Sequence, residues 1–142
     1  TAEWLEGFGA RGSTGGRWPN NLTKRSRFDV VAWSKGGRVA GLIEIKDQPR
    51  MQRSTELRDP AKLCAAMKRW ESLRWSIFLF SVRSTGSTRG DCSHAALRAR
   101  AKDVVQRIRD EFPDNFVRPA YDECESDASA VVWAGVLFKP SR

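Results

Sequence analysis

Two charged side chains interrupt an apolar stretch in GLIEIKDQ, residues 41–48. Glu44 and Lys46 are two positions apart, and in a β-strand the side chains at i and i+2 point to the same face of the sheet. The pair could be an ordinary ion pair on a half-solvated face, worth about 0–1 kcal/mol. Alternatively, it could be a charged site built at the end of a core strand.

An acidic residue upstream can join this pair. Asp29 lies at the start of the β-rich stretch FDVVAW, residues 28–33, and Gly36-Gly37 separates that stretch from the next strand. Two β-rich runs around a Gly-Gly pair predict a hairpin. A two-residue turn at Gly36-Gly37 places Asp29 directly opposite Glu44, with Cβ atoms about 4.5–5.5 Å apart.

Two opposed carboxylates repel each other, and a divalent cation between them would turn that repulsion into a binding site. Mg²⁺ prefers carboxylate oxygen and retains several waters, which leaves room for a substrate phosphate. Lys46 could then orient or help deprotonate an attacking water and stabilise the charge developing at phosphorus. The alternative interpretation of Asp29 is a strand-entry residue paired with Arg27 or Lys46.

The composition favours a polyanionic partner. The 142-residue chain has 25 Lys and Arg against 17 Asp and Glu, a formal charge of +8 and a pI near 10.0, which favours nucleic acid first and an anionic membrane second. A basic protein without such a partner is the alternative. There is no apolar run of about 18 residues that would span a membrane. Three dispersed cysteines without a CxxC pair, and one histidine, argue against a zinc site and favour a reducing, cytoplasmic setting, with a secreted toxin as the alternative.

The order of apolar patterns predicts one α/β domain over residues 1–142, complete or part of a longer chain, with a mixed central sheet flanked by helices. Residues 1–8 predict a short helix and residues 9–27 a basic Gly- and Ser-rich loop, while Asp59 and Pro60 predict the N-cap and first position of another helix. The remaining predicted elements are a strand over 75–82 buried on both faces, a helix over 93–112, an edge strand over 116–121, a polar loop over 122–127 and a strand over 131–138.

The residues RFDVVAW and GLIEIK together resemble the PD-(D/E)xK nuclease superfamily, which has the restriction-endonuclease-like fold. The resemblance implies that Asp29 and Glu44 bind Mg²⁺, for which Mn²⁺ would substitute, with the carbonyl of Ile45 as a third ligand. It also implies that Lys46 acts on the nucleophilic water. The first helix of the fold often carries another acid, which Glu3 matches best and Glu6 second. Phe28 stands where the motif has proline.

These observations predict a Mg²⁺-dependent nuclease that hydrolyses phosphodiester bonds, in DNA rather than RNA. The limited surface of a 142-residue chain favours a homodimer or an additional protein partner. The alternatives are a non-catalytic nucleic-acid-binding module on the same fold, or an interaction domain of a defence or toxin system. The basic residues predicted to contact backbone phosphates are Arg17, Lys24, Arg25, Arg27, Arg50, Arg53 and Lys62; a solvated loop is the alternative for Arg50 and Arg53, and solvent for Lys62.

Overall fold

A mixed five-stranded sheet with two helices forms the described part of the protein. This computed structural model describes residues 22, 25–47, 57–83, 94–126 and 129–141, with the backbone alone for 124–126 and 129. The elements are β1 (Val30–Trp33), β2 (Val39–Asp47), α1 (Arg58–Arg69), β3 (Trp75–Arg83), α2 (His94–Glu111), β4 (Phe116–Ser126) and β5 (Ser129–Phe138). The predicted α/β class with a mixed sheet is therefore confirmed. Neither helix has the length and apolar character needed to cross a bilayer.

The strand order β1-β2-β3-β5-β4 places β3 at the centre of the sheet. Strands β2 and β3 are parallel, and every other neighbouring pair is antiparallel. Parallel neighbours require a crossover, and α1 supplies it between β2 and β3. Since α1 begins beyond the carboxyl end of β2, its first turn lies near the residues that end that strand.

Both helices pack against one face of the sheet. Leu42, Phe78, Phe80 and Val136 point toward the helices and are fully buried, together with Leu63 of α1 and Leu97 and Ile108 of α2. On the other face of β3, Trp75, Ile77 and Leu79 are only half-buried, and Ser81 alone is buried. The prediction that residues 75–82 are buried on both faces is therefore wrong: a continuous apolar run does not specify how many helices cover a strand, and the two described helices cover the same face.

The β1–β2 hairpin does not have the predicted two-residue turn. The Ser34 N–H donates to the Arg38 carbonyl (2.8 Å), so Lys35–Gly37 form a three-residue turn, with Gly37 at φ 70°. This turn shifts the register by one residue, and a bulge between Ala32 and Trp33 shifts it back. Val30 consequently pairs with Ile43. Continuing this register places Asp29 opposite Glu44, as predicted, although for a different reason.

Two further boundaries differ from the prediction. Leu57 is the N-cap of α1, without a side-chain hydrogen bond, and Asp59 lies inside the first turn, where the helix dipole favours its negative charge. The predicted polar loop over 122–127 is wrong for most of its length, because β4 continues to Ser126. Its acidic residues remain in the strand because the backbone pairs with β5 along the sheet edge.

Burial makes Cys64 of α1 an unreactive core residue. Desolvation raises the pKa of its thiol to about 12, against a small opposing influence of the Lys68 charge. Since the thiolate is the nucleophilic form, Cys64 is not a candidate for covalent chemistry.

Gly41 is required where the Trp75 ring of the neighbouring strand crosses its backbone. A Cβ at residue 41 would lie 2.3 Å from a ring carbon of Trp75. We expect Gly41→Ala to lower the free energy of unfolding by about 1–3 kcal/mol, measured by urea titration. Gly36→Ala in the turn, where a Cβ has room, should stay within about 0.5 kcal/mol. An equal cost of Gly41→Ala in a Trp75→Leu background would exclude the ring contact as its cause.

Candidate active site

A cleft of about 500 Å³, lined by both basic and acidic side chains, lies where the start of β1, the end of β2 and the first turns of α1 meet. Its lining residues are Arg25, Ser26, Arg27, Asp29, Glu44, Lys46, Arg58, Asp59 and Lys62. The cleft therefore brings together the three residues of the predicted motif. A larger cleft of about 640 Å³ lies beyond the other end of α1, but Glu71 is the sole carboxylate among its described lining residues. Of these two clefts, only the first brings carboxylates together among the residues that the structure describes.

At the end of β2 a charged side chain is buried and its apolar neighbour is exposed. Glu44 lies on the helix-covered face with its side chain 7 % exposed, whereas Ile45 points the other way and is 45 % exposed. A carboxylate buried beside an exposed isoleucine costs desolvation energy and leaves apolar area in water. Alternation along the strand places Glu44 and Ile45 on opposite faces, and the helices that cover one face bury Glu44 rather than Ile45.

Lys62 of α1 compensates the Glu44 charge. Its Nζ lies 2.6 Å from Glu44 Oε1 and donates a hydrogen bond to the Arg27 carbonyl (2.8 Å). Asp59, one helical turn earlier, lies 3.9 Å from the same nitrogen. Among the described residues, no other hydrogen-bond donor reaches Oε1. The Lys62 side chain is 15 % exposed, so it faces the site rather than solvent.

The electrostatics of the cleft favour a cation beside Glu44. Burial raises the pKa of the Glu44 carboxyl above its ordinary value. Lys62 opposes this rise, while the negative charges of Asp29 and Asp59 add to it. Glu44 and Asp59 therefore share the Lys62 ammonium, and a further positive charge near Glu44 would stabilise its ionised form.

Asp29 is held against the edge of β2. Its Oδ2 accepts a hydrogen bond of 2.7 Å from the Ile45 N–H. Strand β1 begins at Val30, so the carboxylate of the preceding residue takes the place of a further backbone partner on that edge. The N–H and C=O of one strand residue point to the same edge, and the Ile45 carbonyl is therefore directed to the same side as Asp29.

Lys46 shares the sheet face of Glu44 but not its burial. Its side chain is 48 % exposed, and its nearest described carboxylate is Asp59, at 3.8 Å. The alternative of a surface Glu44–Lys46 ion pair is wrong, because Glu44 is buried and pairs with Lys62. Lys46 consequently presents an ammonium at the mouth of the cleft.

Phe28 connects the site to the hydrophobic core. Its ring meets that of Trp70 edge to face, with centroids 6.1 Å apart, and Lys62 Nζ lies 5.1 Å above the ring of Phe28. At the position where the motif has proline, this aromatic residue therefore anchors the chain just before Asp29 and contributes a cation–π contact to Lys62.

The donor atoms present suit a hard divalent cation. Asp29 and Glu44 supply carboxylate oxygens, and the Ile45 carbonyl is a candidate third ligand on the same side. No cluster of three His, Cys, Asp or Glu side chains close enough to hold a metal occurs among the residues described. A metal here would therefore need a backbone carbonyl and water beside the two carboxylates, and it would compete with Lys62 for Glu44.

Several predicted site residues lie outside the described residues: Glu3, Glu6, Arg17, Lys24, Arg50 and Arg53. Arg25 and Arg27 are exposed and line the cleft, and their contacts with phosphate stay a prediction. The sequence interpretation missed Arg58 as a cleft residue and assigned Asp59 only a capping role. The available signal was the spacing of Asp59 and Lys62, which places both on one side of a helix that follows the charged strand.

Comparison with family models, with curated proteins and with solved structures gave no match to this chain.

Proposed function

We propose that the protein is a Mg²⁺-dependent nuclease that hydrolyses phosphodiester bonds, with DNA as the preferred substrate, on a restriction-endonuclease-like core. The observation that carries this proposal is the buried Glu44 carboxylate beside Asp29, at the open end of a core strand and next to the exposed ammonium of Lys46. Burying a carboxylate is costly, and such groups concentrate at functional sites.

The residues of the cleft suit separate tasks in this reaction. Asp29, Glu44 and the Ile45 carbonyl would hold the Mg²⁺ ion, which supplies a more acidic bound water and polarises the scissile phosphate. Lys46 is half-exposed at the cleft mouth, where its ammonium would orient the attacking water and stabilise the developing negative charge. Arg25, Arg27 and Arg58 would bind neighbouring phosphates.

The partner follows from the charge. Three arginines around the cleft, and a net charge of +8, favour backbone phosphate contacts that do not read sequence. Affinity for DNA should therefore fall steeply as salt is raised. A homodimer or an additional partner would supply whatever sequence readout exists.

The decisive experiment is plasmid cleavage with Mg²⁺ or Mn²⁺, compared with EDTA. We expect metal-dependent nicking by the unmodified protein. The nicking rate should fall roughly 10²–10⁴-fold in Lys46→Met, because the group that acts on the attacking water is removed. Lys35→Met, in the exposed hairpin turn, is the matched control and should retain full activity. Nicking by Lys46→Met at the unmodified rate would remove Lys46 from the mechanism.

A non-catalytic nucleic-acid-binding module is the second candidate, and the Lys62–Glu44 contact of 2.6 Å favours it. That contact compensates the buried carboxylate without a metal. Binding of DNA that is salt-sensitive, with no cleavage in any divalent cation, would support this candidate over the nuclease.

A further inference from the structure

We propose that Lys62 is the resident cation of this site, and that a divalent metal must displace its ammonium from Glu44 Oε1 in order to bind. The inference rests on the proposed metal-dependent function and deepens it, because it assigns Lys62 a gating role over metal occupancy.

The surroundings of the ammonium resemble those of a bound cation. Lys62 Nζ has three oxygen groups around it, at 2.6 Å from Glu44, 2.8 Å from the Arg27 carbonyl and 3.9 Å from Asp59. The ring of Phe28 covers it at 5.1 Å. Carboxylate and carbonyl oxygens are also the ligands that Mg²⁺ and Mn²⁺ select.

The Lys62 ammonium and a metal cannot both contact Glu44 Oε1 as the side chains stand. A metal lies about 2.0–2.1 Å from a carboxylate oxygen, and on Oε1 it would occupy the space of the ammonium. Oε1 has no other donor among the described residues, and the side chain is buried, so water cannot replace either cation easily. Repulsion between like charges at this separation adds to the exclusion.

The structure offers the displaced ammonium a place in the same cleft. Lys62 has a flexible four-carbon stem, and Asp59 lies one helical turn away on the same helix. Released from Glu44, the ammonium would remain beside Asp59 and the Arg27 carbonyl, where it can meet a substrate phosphate. In the metal-free protein it holds Glu44 and compensates its charge.

The test measures Mn²⁺ binding to the 142-residue protein by the loss of the free-ion EPR signal, without any substrate. We expect Lys62→Met to lower the Kd for Mn²⁺ by about tenfold, within the usual range of coupling between two ligands of one site. Lys68→Met is the matched control, because Lys68 is an exposed lysine of the same helix that lines the other cleft, and its Kd should change less than about threefold. Lys62→Arg keeps the charge and should not tighten binding.

A second measurement needs no variant. Acetylation of lysine amines in the unmodified protein, followed by mass spectrometry, should be slow at Lys62 and become several-fold faster with saturating Mn²⁺, while the exposed Lys35 reacts equally in both conditions. An unchanged or weaker Kd in Lys62→Met, with Mn²⁺ bound by the unmodified protein, overturns the exchange and leaves the nuclease proposal intact. Absence of Mn²⁺ binding in the unmodified protein and all variants overturns both.

Discussion

Replacing Glu44 by Gln should reduce metal-dependent cleavage roughly a thousandfold or more, because residues that act as one unit lose most of their effect when one member is removed. The substitution keeps the shape of the side chain and removes the charge that would hold the metal. It should also weaken Mn²⁺ binding, whereas the Arg27 carbonyl and Asp59 still compensate Lys62. The measurement is plasmid nicking at matched protein concentration, with circular dichroism to check folding.

Asp47→Asn is the matched control for this result. Asp47 is an acidic residue of the same strand, but it points to the opposite sheet face and contacts Ser81 (2.5 Å) and Arg83 (2.7 Å). Its substitution should leave cleavage within a few-fold of the unmodified protein. Equal losses in both variants would mean that any charge change at this end of the sheet is harmful, and the specific role of Glu44 would be rejected.

Replacing Trp70 by Ala should lower the free energy of unfolding by about 3–5 kcal/mol, the usual cost of removing a large aromatic group from a core. Trp70 is fully buried, and its ring supports Phe28. Because Phe28 precedes Asp29, cleavage should fall as well. Urea unfolding followed by circular dichroism measures the first effect.

Trp33→Ala supplies the comparison. Trp33 ends β1 and is 47 % exposed, so the loss of its ring should cost about 1 kcal/mol or less. A similar destabilisation by both substitutions would indicate that the described core does not distinguish the two positions and would contradict the assignment of Trp70 as the anchor beneath the site.

The alternation of side chains along a strand is the feature that the sequence by itself determined. Glu44 and Lys46 had to share a face because the period of a strand is two, and the apolar runs predicted the positions of the strands and of α2. Leu97, Val104, Val105 and Ile108 are buried as their helical spacing predicts. The predicted hairpin register, which places Asp29 opposite Glu44, agrees with the structure. The three-residue turn and the bulge that together produce this register were not predicted.

Only the tertiary structure decided which basic side chain pairs with which carboxylate. Lys46 and Lys62 are equally basic in the sequence, yet Lys62 reaches Glu44 because the α1 crossover brings its first turns over the end of β2. Which face the helices cover likewise decided that Glu44 is buried and Ile45 exposed. These outcomes depend on contacts between residues distant in the chain, where packing and desolvation outweigh local preference. Sequence periodicity describes only how each element is patterned, and not which element it will meet.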